Sequence, residues 1–302
     1  MDKDSYEIVI LGTGPAGLQA AIHAARSKVS VLVMGRKHKS SLYRAHVENY
    51  CCLTGLSGET LLKEGLRQAK EAGAAFMHED VIKIDPDGDG FNIQTESGKS
   101  IKTMALILAM GISRHKLGVP GEKELLGKGV SYCVDCDAHF FKGETVAVVG
   151  NESAAVSGAL TMLFYANEVH LVCDALQVSE ALGYQVKESD VHVHEGRKVV
   201  SIDGENRVEG LTLDNGERLK LSGVFIELGA KGAVELAATL GVILDSEKMQ
   251  YIVTDKQQQT NIPGIYAAGD ICGPPWQMAK AVGEGCVAGL AAAKYVKAHR
   301  KT

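Results

Sequence analysis

The chain has 302 residues, 45% of them hydrophobic and 23% charged, with a formal net charge of −5. That is the composition of a globular protein of about two domains, and its mild acidity argues against a general nucleic-acid or acidic-membrane binder. No apolar run is long enough to span a bilayer, the polar start at residues 1–6 is unlike a signal peptide, and seven cysteines are too sparse for a secreted disulfide framework, so a cytoplasmic protein is expected.

The first predicted element is a continuous apolar run at residues 6–11, which reads as a parallel strand buried on both faces. Gly12-Thr13-Gly14-Pro15-Ala16-Gly17 follows, then an alanine-rich helix to about Arg26 and a second strand at residues 29–34. In this G-x-G-x-x-G the first glycine makes the tight turn. The second lets the backbone approach a pyrophosphate, and the third lets helix and strand pack closely. The helix N-terminus then faces the phosphates. Alone the pattern is weak, and a glycine turn with no ligand is the alternative. Placed between strand and helix, with a second strand after, it points to dinucleotide binding. An acidic residue that holds a ribose is usual about 20 residues on. Met34-Gly35-Arg36 stands there instead, which weakens a generic NAD reading.

Strand-like runs at residues 91–95 and 105–109 lead to Ser131-Tyr132-Cys133-Val134-Asp135-Cys136-Asp137. A C-x-x-C spacing lets two sulfurs close a small disulfide without large strain. A helix starting there lowers the pKa of one thiol and favours the attacking thiolate. Asp137 is adjacent and can exchange a proton with a leaving thiolate. The alternative is half a zinc site, which needs two more ligands at suitable spacing. The adjacent Cys51-Cys52 are poorly spaced for that.

A second strand-turn-helix-strand unit follows: a strand at residues 145–149, a turn at Gly150, a helix at 154–166 and a strand at 168–173. Hairpin patterns lie around residues 203–213 and 218–228. The chain then returns to a strand at 264–267, a turn at Gly269-Asp270 and an Ala/Gly-rich helix from about 277 to 298. The basic end is expected to fray. There is no short-period repeat.

Together these features resemble the low-molecular-weight thioredoxin reductases over nearly the whole chain. Four segments carry the resemblance: Gly12–Gly17 with Pro15-Ala16, Val47-Glu48-Asn49-Tyr50, Cys133-Val134-Asp135-Cys136-Asp137, and Ala267-Ala268-Gly269-Asp270. The resemblance implies an α/β fold with two Rossmann-like, three-layer ββα nucleotide-binding domains. An FAD domain would be assembled from residues 1–116 and 245–302, around a central cysteine domain at 117–244. It further implies that Cys136 faces the flavin, that Cys133 attacks the protein disulfide and that Asp137 is the acid/base. Gly12, Gly14, Pro15, Ala16, Gly17, Asn49, Gly269, Asp270, Gln277 and Met278 would bind FAD, with Asp270 on the ribityl side. Family members typically lack the acid at the end of the second strand, which accounts for Gly35. They are homodimers whose central domain rotates against the FAD domain.

The central domain departs from the family. Members that bind NADPH there carry a second G-x-G-x-x-A and a His-Arg-Arg group. This chain has Gly150-Asn151-Glu152-Ser153-Ala154-Ala155, and Cys173-Asp174-Ala175 with no arginine. A carboxylate about 4 Å from a phosphate costs on the order of 4 kcal/mol at an effective dielectric near 20, roughly a thousandfold in affinity. Asp174 would repel a 2′-phosphate but suits a free ribose hydroxyl. These losses resemble the ferredoxin-dependent flavin thioredoxin reductases, in which an iron–sulfur protein reduces FAD; a deazaflavin donor is a further variant. The reading is therefore a thioredoxin-disulfide reductase with thioredoxin as acceptor and a ferredoxin-type donor. An NADH- or NADPH-dependent reductase and a non-catalytic flavin redox sensor are the alternatives. The cysteine pair opposes a ferredoxin–NADP reductase. Lys39-Ser40-Ser41, Met110 and Trp276-Gln277 are local departures. Trp276 is expected near the flavin or a dimer surface, with plain packing as the alternative, and His139 at the surface, with a part in proton transfer as the alternative. Cys51 and Cys52 are expected to be inert core residues, with an auxiliary redox role as the alternative, and Cys173, Cys272 and Cys286 packing residues.

Overall fold

The computed structural model describes residues 4–36, 40–51, 53, 55–112, 116–228, 232–246 and 250–300, apart from the side chains of Arg44 and Cys136. The chain divides into two compact units. One comprises Met1–Thr95, Lys99–Ile112 and Gly232–Thr302, and the other Glu96–Gly98 and Ser113–Lys231.

The first unit opens with β1 (Ser5–Leu11), α1 (Pro15–Arg26), β2 (Val31–Met34), β3 (His46–Val47), β4 (Leu56–Ser57), α2 (Gly58–Glu71), β5 (Ala75–Met77), β6 (Val81–Asp87), β7 (Gly90–Thr95) and β8 (Ser100–Leu108). The second holds β9 (Val130–Ser131), α3 (Val134–Asp137), β10 (Thr145–Val149), α4 (Ser153–Met162), β11 (Glu168–Cys173), α5 (Glu180–Lys187), β12 (His192–Glu195), β13 (Val199–Asp203), β14 (Gly210–Leu213), β15 (Arg218–Leu219) and β16 (Gly223–Ile226). The chain returns to the first unit with α6 (Ala233–Thr239), β17 (Ile265–Ala267) and α7 (Met278–His299).

In the first unit β5, β2, β1 and β8 run parallel, and β17 pairs in parallel with β8. The β1 run is apolar throughout because both its faces are covered. Ile8 and Ile10 face the core that includes α1 and α7 residues, while Val9 and Leu11 face the one built with β6, β7 and α6. The alanine-rich α1 and α7 lie backbone to backbone: a Cβ on Gly285 would stand 2.2 Å from the Ala16 carbonyl oxygen. Arg300 at the chain end is not frayed. Its guanidinium bonds Glu7 at 2.7 Å and the Lys28 carbonyl at 3.1 Å, tying α7 to β1.

The second unit carries a parallel sheet ordered β12-β11-β10-β16-β9 and an antiparallel β13-β14-β15 meander. Side-chain alternation again sorts two cores. Val146 and Val148 pack with α4 and α5 residues, and Ala147 and Val149 with the meander. This is the expected three-layer arrangement. The hairpin expected at 218–228 does not form as such. Arg218–Leu219 closes the meander, but Gly223–Ile226 enters the parallel sheet between β10 and β9, because all four of its residues are buried. The helix expected to reach residue 166 ends at Met162, where the backbone turns back through Tyr165 N–H and Ala166 N–H to the Met162 carbonyl. Residues 233–239, read from sequence as part of a central domain, form α6, whose Leu236 and Ala237 pack in the first unit.

Candidate functional site

The candidate site residues form two sets, one in each unit. In the first unit, Gly12 N–H bonds the Met34 carbonyl at 2.8 Å, and the chain turns sharply into α1, with Pro15 in its first turn and Gly14 as the N-cap. Gly12 has φ +119, and a Cβ there would stand 2.2 Å from the Ala109 carbonyl oxygen; one on Gly17 would stand 2.0 Å from that of Gly12. Only glycine fits either place. Gly14 differs. The nearest atom to a Cβ there is Ser40 Oγ at 3.4 Å, so the missing side chain leaves room above the helix N-terminus. The first turn of α1 holds no acidic residue, and its backbone N–H groups offer a site for an anion.

The far end of the chain comes to this turn. Gly269 has φ +89, and a Cβ on it would lie 3.0 Å from Ala16 Cβ. Lys280 Nζ donates to the carbonyls of Gly269 and Gly273, and Glu284 accepts the Gly269 N–H at 2.8 Å. Burial pushes the Asp270 carboxyl up, with Glu284 adding to the effect and Lys280 opposing it. Asn49 Nδ2 donates to Gln277 Oε1 at 2.8 Å, just before Met278 begins α7. The structure thus brings Ala16 to Gly269, and Asn49 to Gln277, from opposite ends of the chain. A glycine turn open at Gly14, a helix N-terminus free of acid, and a half-buried carboxyl fit the pyrophosphate and the hydroxyl-bearing linker of FAD. Arg36, where an acid is usual, lies 3.8 Å from the buried Asp80.

In the second unit, β9 pairs with β16 and delivers Ser131, Tyr132 and Cys133 to the start of α3. Cys133 is disulfide-bonded. The pairing read from sequence assigns its partner as Cys136, whose side chain lies outside the described residues. Buried Val134 and Ala138 anchor the turn in the core, and Phe141 packs edge-on against Phe225 at 5.1 Å. Ser131 is buried, and its hydroxyl donates to Asp137 Oδ2 at 2.6 Å while accepting the Cys133 N–H at 3.1 Å. Asp137, expected to be the acid/base, is therefore held by a residue to which the sequence assigned no role. Tyr132 donates to Glu122 at 2.7 Å. Burial opposes ionisation of Glu122, but that bond and the backbone N–H groups of Leu117, Gly118 and Val119 outweigh it and hold the carboxyl below the usual range. His139 is exposed, its ring centroid 3.9 Å from that of Phe140 and the two planes tilted by 39°.

The glycine turn of this unit is arranged differently. Glu152 is the N-cap of α4, where the first unit has glycine. Asp174 Oδ1 accepts from Ala175 N–H at 2.8 Å and from Asn151 Nδ2 at 3.3 Å. Gln177 N–H bonds the Asn151 carbonyl at 2.7 Å, and Leu176 N–H reaches Glu195 Oε1 at 3.3 Å. The segment after β11 thus folds onto the turn at 150–152.

Cys173 and Cys272 are packing residues as expected, their thiols pushed up to about 11 and about 12 by burial first and by neighbouring carboxylates second. Cys51 is exposed, not a core residue; Cys52 lies outside the described residues, as does Lys39. Trp276 is 56% exposed and is not a core residue of the chain. Among the described residues no helix is long and apolar enough to cross a membrane, and no group of three or more His, Cys, Asp or Glu side chains is arranged to hold a metal.

Residues 6–285 match the family model described as pyridine nucleotide-disulphide oxidoreductase. The chain is 35% identical over 308 residues to a thioredoxin reductase of Listeria monocytogenes, covering 98% of this chain and 95% of the relative. It is similar in structure to the atypical thioredoxin reductase TRi from Desulfovibrio vulgaris Hildenborough, with a TM-score of 0.86 and 34% identity over 98% of this chain and 100% of that one. A ferredoxin-flavin thioredoxin reductase from Clostridium acetobutylicum superposes with a TM-score of 0.69 and 34% identity, covering 98% of this chain and 99% of that one.

Proposed function

Because the chain belongs to the pyridine nucleotide-disulphide oxidoreductase family, and within it to the FAD-dependent thioredoxin reductases, we propose that its electrons enter from a ferredoxin-type iron–sulfur protein and leave through the Cys133–Cys136 dithiol. The observation that carries this reading is the unequal pair of glycine turns. The turn at 12–17 is open at Gly14, whereas the turn at 150–155 is capped by Glu152 and covered by the segment after β11.

The residues that would hold FAD are Gly12, Gly14, Pro15, Ala16 and Gly17 at the pyrophosphate, with Asn49, Gly269, Asp270, Gln277 and Met278 around the remainder. FAD, when bound, supplies a two-electron carrier that can be filled one electron at a time, which suits an iron–sulfur donor. In the dithiol state, Cys133 thiolate attacks one sulfur of the thioredoxin disulfide. An intermolecular disulfide forms, and the other thioredoxin sulfur leaves as a thiolate. Cys136 then attacks Cys133, the intramolecular disulfide closes, and thioredoxin departs with both sulfurs reduced. Two electrons and two protons pass to thioredoxin. Asp137, held by Ser131, is placed to take the proton of one thiol and return it to a leaving thiolate.

Against NADPH stand the groups its binding would need. The α4 N-terminus carries a carboxylate at its cap. Asp174, the candidate ribose acceptor, already accepts two hydrogen bonds from the chain itself. No arginine follows β11 at residues 174–179. The ferredoxin-flavin neighbour from Clostridium supports an iron–sulfur donor. On the sequence resemblance, we read the protein as a cytoplasmic homodimer.

Cys133→Ser is expected to keep bound FAD and to lose thioredoxin reduction. Full turnover in that variant would overturn the assignment of the dithiol. Direct titration of the holoenzyme with NADPH should show no saturation below roughly the millimolar range; micromolar binding would overturn the reading of Glu152 and Asp174.

A further inference from the structure

Glu227 follows β16 and is 6% exposed. Its Oε1 accepts the N–H of Val134 at 2.9 Å. Val134 is the first residue of α3 and directly follows Cys133. From the other side, α4 comes close at Gly158. A Cβ there would lie 3.0 Å from Val134 Cγ2 and 3.8 Å from Glu227 Cγ. A buried carboxylate is thus packed against the amide at the head of the redox turn.

From this contact we infer that Glu227 is a positioning residue that lowers the reduction potential of the Cys133–Cys136 pair and so makes it a stronger reductant for thioredoxin. The inference rests on the reading that this pair is the working dithiol. A thiolate at the start of a helix is stabilised by the unpaired N–H groups and the positive end of the dipole. Stabilising the thiolate stabilises the reduced couple and raises its potential. Glu227 acts in the opposite sense. It takes one of those N–H groups and adds a negative charge beside it.

Among the described residues, the neighbouring carboxylates add negative charge in the same sense: Asp135 and Asp137 lie on α3 itself, Glu152 caps α4, and Glu122 is bonded to Tyr132. His139, on the short helix Ala138–Phe141, would act in the opposite sense when protonated. The residues of α4 between Ser153 and Met162 include no ionisable side chain. A glutamine at 227 can accept the same N–H bond, so the difference between Glu and Gln isolates the charge from the cap.

The test equilibrates the FAD-loaded Glu227→Gln variant with the thioredoxin dithiol–disulfide couple, without oxygen at about pH 9.5, above the free-cysteine value of about 8.5 so that the thiolate is populated, and quantifies alkylated thiols. The expected shift is about tenfold toward reduced enzyme and oxidised thioredoxin, which is about 30 mV less negative for a two-electron couple. The pH dependence of Cys133 alkylation should move about one pH unit lower, and Glu227→Asp should keep the wild-type equilibrium. An equilibrium constant within about twofold of wild type, or a shift the other way, overturns the inference. If Glu227→Gln does not fold, the wild-type enzyme decides. Half-maximal Cys133 alkylation at or above the free-cysteine value of about 8.5 supports the role of Glu227, and a clearly lower value contradicts it. Failure here is separable from failure of the dithiol assignment. Turnover by Cys133→Ser sinks the latter, whereas an active Glu227→Gln enzyme with an unchanged equilibrium sinks only the former.

Discussion

Ser131 shows how much of the redox turn depends on one hydroxyl. It donates to Asp137 and accepts from the Cys133 amide, so it fixes the carboxylate relative to the cysteine backbone. Ser131→Ala should lower thioredoxin turnover by roughly tenfold with FAD retained, and Asp137→Asn by roughly a hundredfold, the lower end of what a positioned acid/base contributes. Since Ser131 acts through Asp137, the double variant should be no slower than Asp137→Asn alone. Additive losses in steady-state rates would show that Ser131 works by another route. The cysteines, Asp137 and Gly12–Gly17 are legible in the sequence because each set is contiguous and its spacing is its chemistry. Glu227 is not, because it lies 93 residues from Val134 and only the pairing of β16 with β9 joins them.

At the scale of elements, the same pairing anchors the start of the redox turn to the parallel sheet. Phe225 on β16 is fully buried and meets Phe141 edge-on, and Phe141 lies over Gly223, where a Cβ would stand 2.4 Å from the ring. Phe225→Ala should cost about 3–5 kcal/mol in denaturant unfolding of this unit and weaken thioredoxin reduction more than FAD retention. A loss under about 1 kcal/mol would mean the ring is not a keystone of the turn. The continuous apolar runs of β1, β10 and β11 were readable as buried parallel strands. β16 was not, because its four residues follow a polar turn and look like the return strand of a hairpin. The tie from Arg300 to Glu7 was equally hidden, since an ion pair between chain ends leaves no local pattern.

For the whole molecule, the buried ionisable groups fix how stability should depend on pH. Burial first, with His194 and His192 adding and Glu168 opposing, holds His170 below its ordinary value; burial also lowers His194, which lies 3.0 Å from His170 Nδ1. A histidine lowered in the fold takes up its proton more readily when unfolded. Its contribution is present above about pH 6.5 and is lost as pH falls through the folded-state pKa. Glu7, Glu122 and Asp203 are also lowered, because hydrogen bonds outweigh burial, so their contributions are lost as pH falls from the ordinary carboxylate range through their folded-state pKa values. Tm should therefore fall in two stages on acidification, and His194→Gln should flatten the first; a Tm that rises between about pH 7 and pH 5.5 would contradict this account. The α/β class and a dinucleotide-binding glycine turn follow from sequence periodicity and spacing, and FAD from the family resemblance. The covered turn at 150–152 does not, because the segment that covers it, at residues 174–179, has no motif of its own. The same covered turn is why we propose that electrons reach the dithiol without a nicotinamide. The most direct test mixes the oxidised holoenzyme anaerobically with NADPH, NADH and reduced ferredoxin side by side and follows the visible flavin absorbance. Rapid bleaching by reduced ferredoxin alone is the predicted result; rapid bleaching by micromolar NADPH or NADH would contradict it.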